Sequence, residues 1–174
     1  NVGDGHRFPG GQTDLRDTWF EVLLRDEDGN VVAEAGRDHR ESGGDKSAHR
    51  LRKLVVSEDV ETQMTHGIAH FRTKAFDRTI APRNAEVTRY AWRIPESLSE
   101  EDFPLTVDAR LQHRRLSKTF YAASCEATKT DRGRRFVEQA ERQMGVEIDP
   151  CADQPITQMA RDTAEIYTDR FAPG

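Results

Sequence analysis

A chain of 174 residues suits one domain with a sizeable core, although only 35% of its residues are hydrophobic, so its surface must be heavily charged. Its 31 acidic and 26 basic residues give a net charge of −5 and are interspersed, which argues against nucleic acid as a partner, because phosphate binding needs a positive stripe. No internal repeat, low-complexity block or long apolar run is present, so no transmembrane helix is expected within these residues.

The first feature is a loop, Asn1-Val2-Gly3-Asp4-Gly5-His6-Arg7-Phe8-Pro9-Gly10-Gly11, in which a histidine sits between glycines and is held by Phe8 and Pro9. From Thr18 to Leu24 the chain alternates, with Phe20, Val22 and Leu24 on one face and Trp19, Glu21 and Leu23 on the other, as a strand does. Asp28-Gly29 supplies a turn and Val31-Val32-Ala33 completes a hairpin. Asp26, Asp28 and Asn30 alternate like part of a calcium loop, but Gly29 and the flanking strands favour the hairpin turn. Residues 36–50 are polar around Gly43-Gly44 and read as a long exposed loop. A second alternating stretch, His66 to Phe76, sets Ala69, Phe71, Thr73 and Ala75 on one face. Ile80 to Asn84 marks a turn around Pro82, and Glu86 to Ile94 reads as a strand that groups Tyr90, Trp92 and Ile94 before Pro95. The cleanest alternation comes last: Leu105, Val107, Ala109 and Leu111 face in, while Thr106, Asp108, Arg110 and Gln112 face out.

Several strands separated by turns, without strand–helix alternation, predict a mainly β fold, an antiparallel β-sandwich of immunoglobulin-like type. Its predicted core holds Phe20, Val22, Leu24, Phe71, Trp92, Val107 and Leu111. After Leu116 the pattern changes to helix. Ser117 caps a short helix through Phe120 and Ala123, and Asp131 caps a clearer one in which Phe136, Ala140 and Met144 recur before Gly145 ends it. That narrow apolar stripe should lie on the sandwich or on a neighbouring domain. Arg132, Arg134 and Arg135 read as a solvated helix end. Pro155 to Phe171 stays open between helix and strand, since Ile156, Met159, Thr163 and Ile166 also fit a helix. The expected organisation is a sandwich over residues 1–116 and a helical extension over 117–174, packed on the same domain.

The opening loop, Leu15 to Val22, Asp28 to Val32, Arg78-Thr79-Ile80-Ala81-Pro82, Tyr90 to Pro95 and Leu105 to Leu111 follow one another at intervals that resemble a known family. It is the non-haem β-sandwich domain found toward the C-terminus of many bacterial multihaem c-type cytochromes. The resemblance covers most of residues 1–121 and thins out afterward. One departure is Gly10, where relatives usually carry Thr in F-P-T-G, and this could loosen the turn after Pro9. The resemblance implies an exported protein, periplasmic or extracellular, with haem c in another part of the parent. The domain would then scaffold electron transfer or dock to the haem-bearing part or to a redox partner protein; a homo-oligomer is also open. It also favours a strand near the end of the tail. The chain begins at Asn1, without Met and inside a motif that should have strand residues before it, so we read it as a piece of a longer protein.

His6 is the candidate cofactor residue: a neutral imidazole in this loop could be the distal axial ligand of a haem anchored elsewhere. The alternative is a turn residue bonded to backbone, with the glycines serving loop geometry. No haem can be attached covalently within these residues, because no C-x-x-C-H is present. Cys125 and Cys151 could close a loop and stabilise by about 3 kcal/mol. Two free buried thiols are the alternative, and the export implied by the resemblance favours the disulfide. His66 and His70 have the spacing of a helical metal pair, but on a strand they would stand about 13 Å apart, too far for one ion. His113 stands at a strand's end as a partly buried imidazole. Catalysis finds no support in a nucleophile elbow, a zinc motif or a phosphate loop. A second reading is a stand-alone extracytoplasmic module that binds carbohydrate or protein through its loops; Trp19 and Trp92 would form its aromatic platform if exposed together, but both lie in expected strands and read as core.

Overall fold

The computed structural model describes residues 5–12, 14–38, 47–59, 61 and 66–167; residues 1–4 of the opening loop, Gly43-Gly44 and the end of the tail lie outside them. The described chain is mainly β, with strands β1 (Asp17–Arg25), β2 (Val31–Ala35), β3 (Lys53–Val56), β4 (Thr73–Asp77), β5 (Leu105–Arg114) and β6 (Ile156–Ile166), and helices α1 (Lys118–Thr128) and α2 (Asp131–Met144). A four-stranded sheet has the order β2-β1-β5-β6, and a two-stranded sheet pairs β3 with β4; every pairing is antiparallel.

β1 organises the molecule. Its C-terminal half pairs with β2 and its whole length with β5, Val22 standing opposite Ala35 on one side and Ala109 on the other. Below β2, the same edge is taken by residues 49–51: Phe20 N–H donates to the His49 carbonyl at 3.1 Å and Leu51 N–H to that of Thr18 at 2.8 Å. The chain then leaves this edge directly into β3, which links the two sheets. Being central, β1 is covered on both faces, and Trp19, Leu23, Val22 and Leu24 are all buried. Both faces are therefore core, while Phe20, expected to be buried, is only half-buried. Leu51 and Leu105 close the core around them. Trp19 Nε1 donates to the Gly36 carbonyl at 2.8 Å. A side chain at Gly36 would bring its Cβ 2.1 Å from the Phe20 carbonyl oxygen, and φ there is +76°, so glycine is required for this approach.

The turn after β1 has Gly29 at φ +84°, as expected of Asp28-Gly29, and Asp26 closes it. Its carboxylate accepts from the Asn30 amide at 2.7 Å and from the Asn30 side chain at 3.0 Å. Three other expectations change. The strand expected over His66–Phe76 begins only at Thr73, after a 3-10 turn at Ile68–His70. Residues 86–94, expected as a strand, lie outside both sheets among the described residues; Tyr90 and Trp92 do come together there, their rings stacked 5.6 Å apart. Phe71, Trp92, Val107 and Leu111 are half-buried rather than deep.

On β5 two of the polar residues expected to face out, Asp108 and Gln112, are buried, and so is Arg114. Their pairing is what allows it. Asp108 accepts from Arg161 Nε on β6 at 2.8 Å and from Arg110, and Gln112 donates to Glu21 on β1 at 2.6 Å.

Ser117 caps α1 by accepting from the Phe120 amide at 3.2 Å, and Gly145 ends α2 in the left-handed conformation. Thr130, one residue before the expected Asp131, caps α2 by accepting from Gly133 N–H at 3.1 Å. α2 packs on α1 and leaves Phe136, Met144 and Val146 exposed. The tail is a strand: β6 pairs along β5 with a bulge opposite Leu111/Gln112, so residues after the helices return to the sheet of the first part. Cys125 of α1 and Cys151, between α2 and β6, are joined in a disulfide with Cα atoms 5.0 Å apart.

Candidate functional site

The His6 loop is fastened to the two-stranded sheet rather than to β1. Phe8 and Ile80 exchange backbone hydrogen bonds, Phe8 N–H to Ile80 O at 2.8 Å and the return bond at 2.7 Å. Arg7 reinforces that bridge: Nε donates to Thr79 Oγ1 at 2.6 Å and Nη2 to the Thr79 carbonyl at 2.7 Å, while Asp77 Oδ2 lies 3.7 Å from Nε. Asp77 accepts from the Thr79 amide at 3.0 Å and from its hydroxyl at 2.5 Å, and Lys74 stands 3.3 Å away. Desolvation alone would raise the Asp77 pKa, but the Thr79 donors, Lys74 and Arg7 together hold it down to about 2. The segment Arg78 to Pro82 and the opening loop are thus hydrogen-bonded to each other.

Within this frame His6 is exposed. Its Nδ1 lies 3.0 Å from the Arg7 carbonyl oxygen; a carbonyl only accepts, so Nδ1 donates, and in the neutral ring that leaves the lone pair on Nε2. That tautomer suits a ligand role and also satisfies a plain turn residue.

The remaining histidines are dispersed. His66 Nδ1 pairs with Asp14 Oδ2 at 2.6 Å, its ring edge-on to Phe71, while His70 is exposed on the 3-10 turn, so the two do not form a metal pair. His49 Nε2 stands 3.2 Å from Glu86 Oε1. His113 Nδ1 meets Thr18 Oγ1 at 2.8 Å, and burial, aided by Arg16, pushes its pKa down. Among the described residues no three His, Cys, Asp or Glu side chains converge to hold a metal ion. Trp19 is 2% exposed, so it offers no platform for a ligand, and Trp92 stacks on Tyr90 instead.

One group of residues carries no motif. Arg114, at the end of β5, is buried over the Trp19 ring with its guanidinium carbon 5.2 Å from the ring centre. Asp38 receives both Arg114 Nη2 at 2.9 Å and Lys118 Nζ at 2.8 Å, and this pairing outweighs desolvation to hold its carboxyl below the usual range. The only signal in the sequence was the mixed sign of charges on the supposedly outward face of β5.

No family model matches the chain, and no curated protein matches it. Among solved structures, its fold is similar to the crystal structure of a penta-heme cytochrome c552 from Thermochromatium tepidum, with a TM-score of 0.52 at 12% identity. The likeness covers 92% of this chain and 33% of that one, so the chain spans about a third of the length of the cytochrome it matches. At this identity the likeness is one of fold. Among the described residues, no helix is long and apolar enough to cross a membrane.

Proposed function

We propose that this chain is a scaffold or docking domain of a multihaem c-type cytochrome, exported to the periplasm or cell exterior, with no covalent haem of its own. The observation that carries the reading is the extent of the fold likeness: it takes in 92% of this chain but a third of a penta-heme cytochrome, as one part of a larger electron carrier would. The disulfide agrees with an oxidising compartment. The two sheets are read, on the same proposal, as the layers of an immunoglobulin-like sandwich.

The residues present fit haem in one respect. Both cysteines are bonded to each other, so neither can form a thioether, whereas His6 could offer one axial nitrogen from an exposed loop. Haem bound in the parent would supply the one-electron chemistry; what this chain's residues do is hold a loop and a face. Arg7, Thr79 and Asp77 fix the loop's backbone, and the Arg7 carbonyl fixes the His6 tautomer.

The test is the intact parent protein. It should contain haem c attached outside these residues, and its absorption and haem potentials should report on His6→Ala. Altered Soret and α bands make His6 a ligand; unchanged bands and potentials make it a turn residue while the scaffold reading stands. A parent without haem would overturn the reading altogether.

A further inference from the structure

A cavity of about 300 Å3 opens where β5, the start of α1 and the chain entering β6 meet, lined by Asp38, Arg114, Lys118, Tyr121, Asp153 and Gln154, with Pro155 and Ile156 as its apolar wall. Independently of any role in electron transfer, we propose that it binds a small zwitterion of the free amino acid class. In this pose the ligand carboxylate lies at Arg114 and Lys118, its ammonium at Asp153, and its side chain against Pro155 and Ile156.

Three observations support this. Arg114 is 3% exposed, yet its Nε has no hydrogen-bond acceptor among the described residues, and its Nη2, 2.9 Å from Asp38 Oδ2, is held there as an ion pair without an aligned hydrogen bond. A buried donor left so costs about 1–3 kcal/mol, which an acceptor entering the cavity would recover. Asp38 does not supply it, because its two oxygens are already directed at Arg114 Nη2 and Lys118 Nζ. Secondly, the lining balances two cations, Arg114 and Lys118, against two carboxylates, Asp38 and Asp153, so a ligand with a net charge would leave an unmatched one. A zwitterion adds none. Thirdly, the lining holds the parts such a ligand needs: cations in Arg114 and Lys118, a further carboxylate in Asp153, and apolar surface from Pro155 and Ile156. The space corresponds to about ten waters at bulk density, more than is needed to satisfy one N–H.

The chain is titrated with L-leucine and with 4-methylpentanoate, which is leucine without its ammonium group, by calorimetry and amide chemical-shift mapping. Leucine should bind saturably, with shifts around Tyr121 and residues 152–156, and about tenfold more tightly than 4-methylpentanoate. Asp153→Asn should remove that difference, and Lys118→Met should weaken both; Arg114 is left intact because the fold is built on it. Equal binding of the two probes, or unchanged leucine affinity in Asp153→Asn, overturns the zwitterion assignment. Absence of saturable leucine binding at millimolar concentration leaves a cavity that holds only water and overturns the site itself.

Discussion

The His6 ring lies over Gly10, so close that a methyl group on Gly10 would stand 2.7 Å from His6 Cε1. The space beside this glycine is thus occupied rather than slack: the imidazole covers it. Gly10→Thr should displace the ring and break its contact with the Arg7 carbonyl. The cost should be small, under about 1 kcal/mol, because the clash is with the end of a side chain that can rotate. Shifted His6 ring resonances with a nearly unchanged denaturation midpoint would be the result; an unmoved ring would contradict it.

Asp77 joins the His6 loop to β4, and its depressed pKa sets a pH window. Its folded pKa of about 2 lies below the unfolded value near 4, so its contribution is complete above pH 4 and is lost as pH falls toward 2. With Arg7 half-exposed and screened, about 1–2 kcal/mol is expected. Urea titrations at neutral and acid pH should show that Asp77→Asn is less stable at pH 7 and converges on the parent chain near pH 2.

Asp108 is the stricter case. Desolvation opposes its charge, and hydrogen bonds from Arg110 and Arg161 overcome it, holding its pKa low. Asp108→Asn removes the carboxylate between two guanidinium groups, at a cost of about 3 kcal/mol. A double change with Arg161→Met should recover part of that loss, measured by chemical denaturation.

Thiol alkylation followed by mass measurement should find no free thiol in the unreduced chain. Reduction, or Cys125→Ser with Cys151→Ser, should cost about 3 kcal/mol. Two labelled thiols before reduction would exclude the bond.

The parts of the fold that could be read from sequence are those where local chemistry decides: the Asp26–Asn30 turn, the helix ending at Gly145, and the alternation of β1 and β5. What could not be read is set by neighbours. Whether a face of β5 is inside depends on strands far away in the chain, so Asp108 and Gln112 looked outward and are buried. Residues 86–94 alternate as a strand should but join neither sheet among the described residues, and pairing is not a local property. The tail fits both periods, and its strand form follows from the free edge of β5. As for the site, His6 was visible through its glycines, whereas Asp38, Arg114 and Lys118 meet only through folding and share no spacing.

The placement of the Cys125–Cys151 bond bears on how β6 is retained. Every residue of β6 is exposed, so little apolar burial holds the strand, and its ladder to β5 must overcome the entropy of closing a loop that contains both helices. The bond lies across that loop and shortens the free tether between β5 and β6 to the few residues on either side. Amide protons of β6 should then exchange by local detachment, slowly in the oxidised chain and much faster once it is reduced, while β1 keeps its protection in both. The edge of the sheet becomes a separable unit whose hold depends on the redox state of its surroundings.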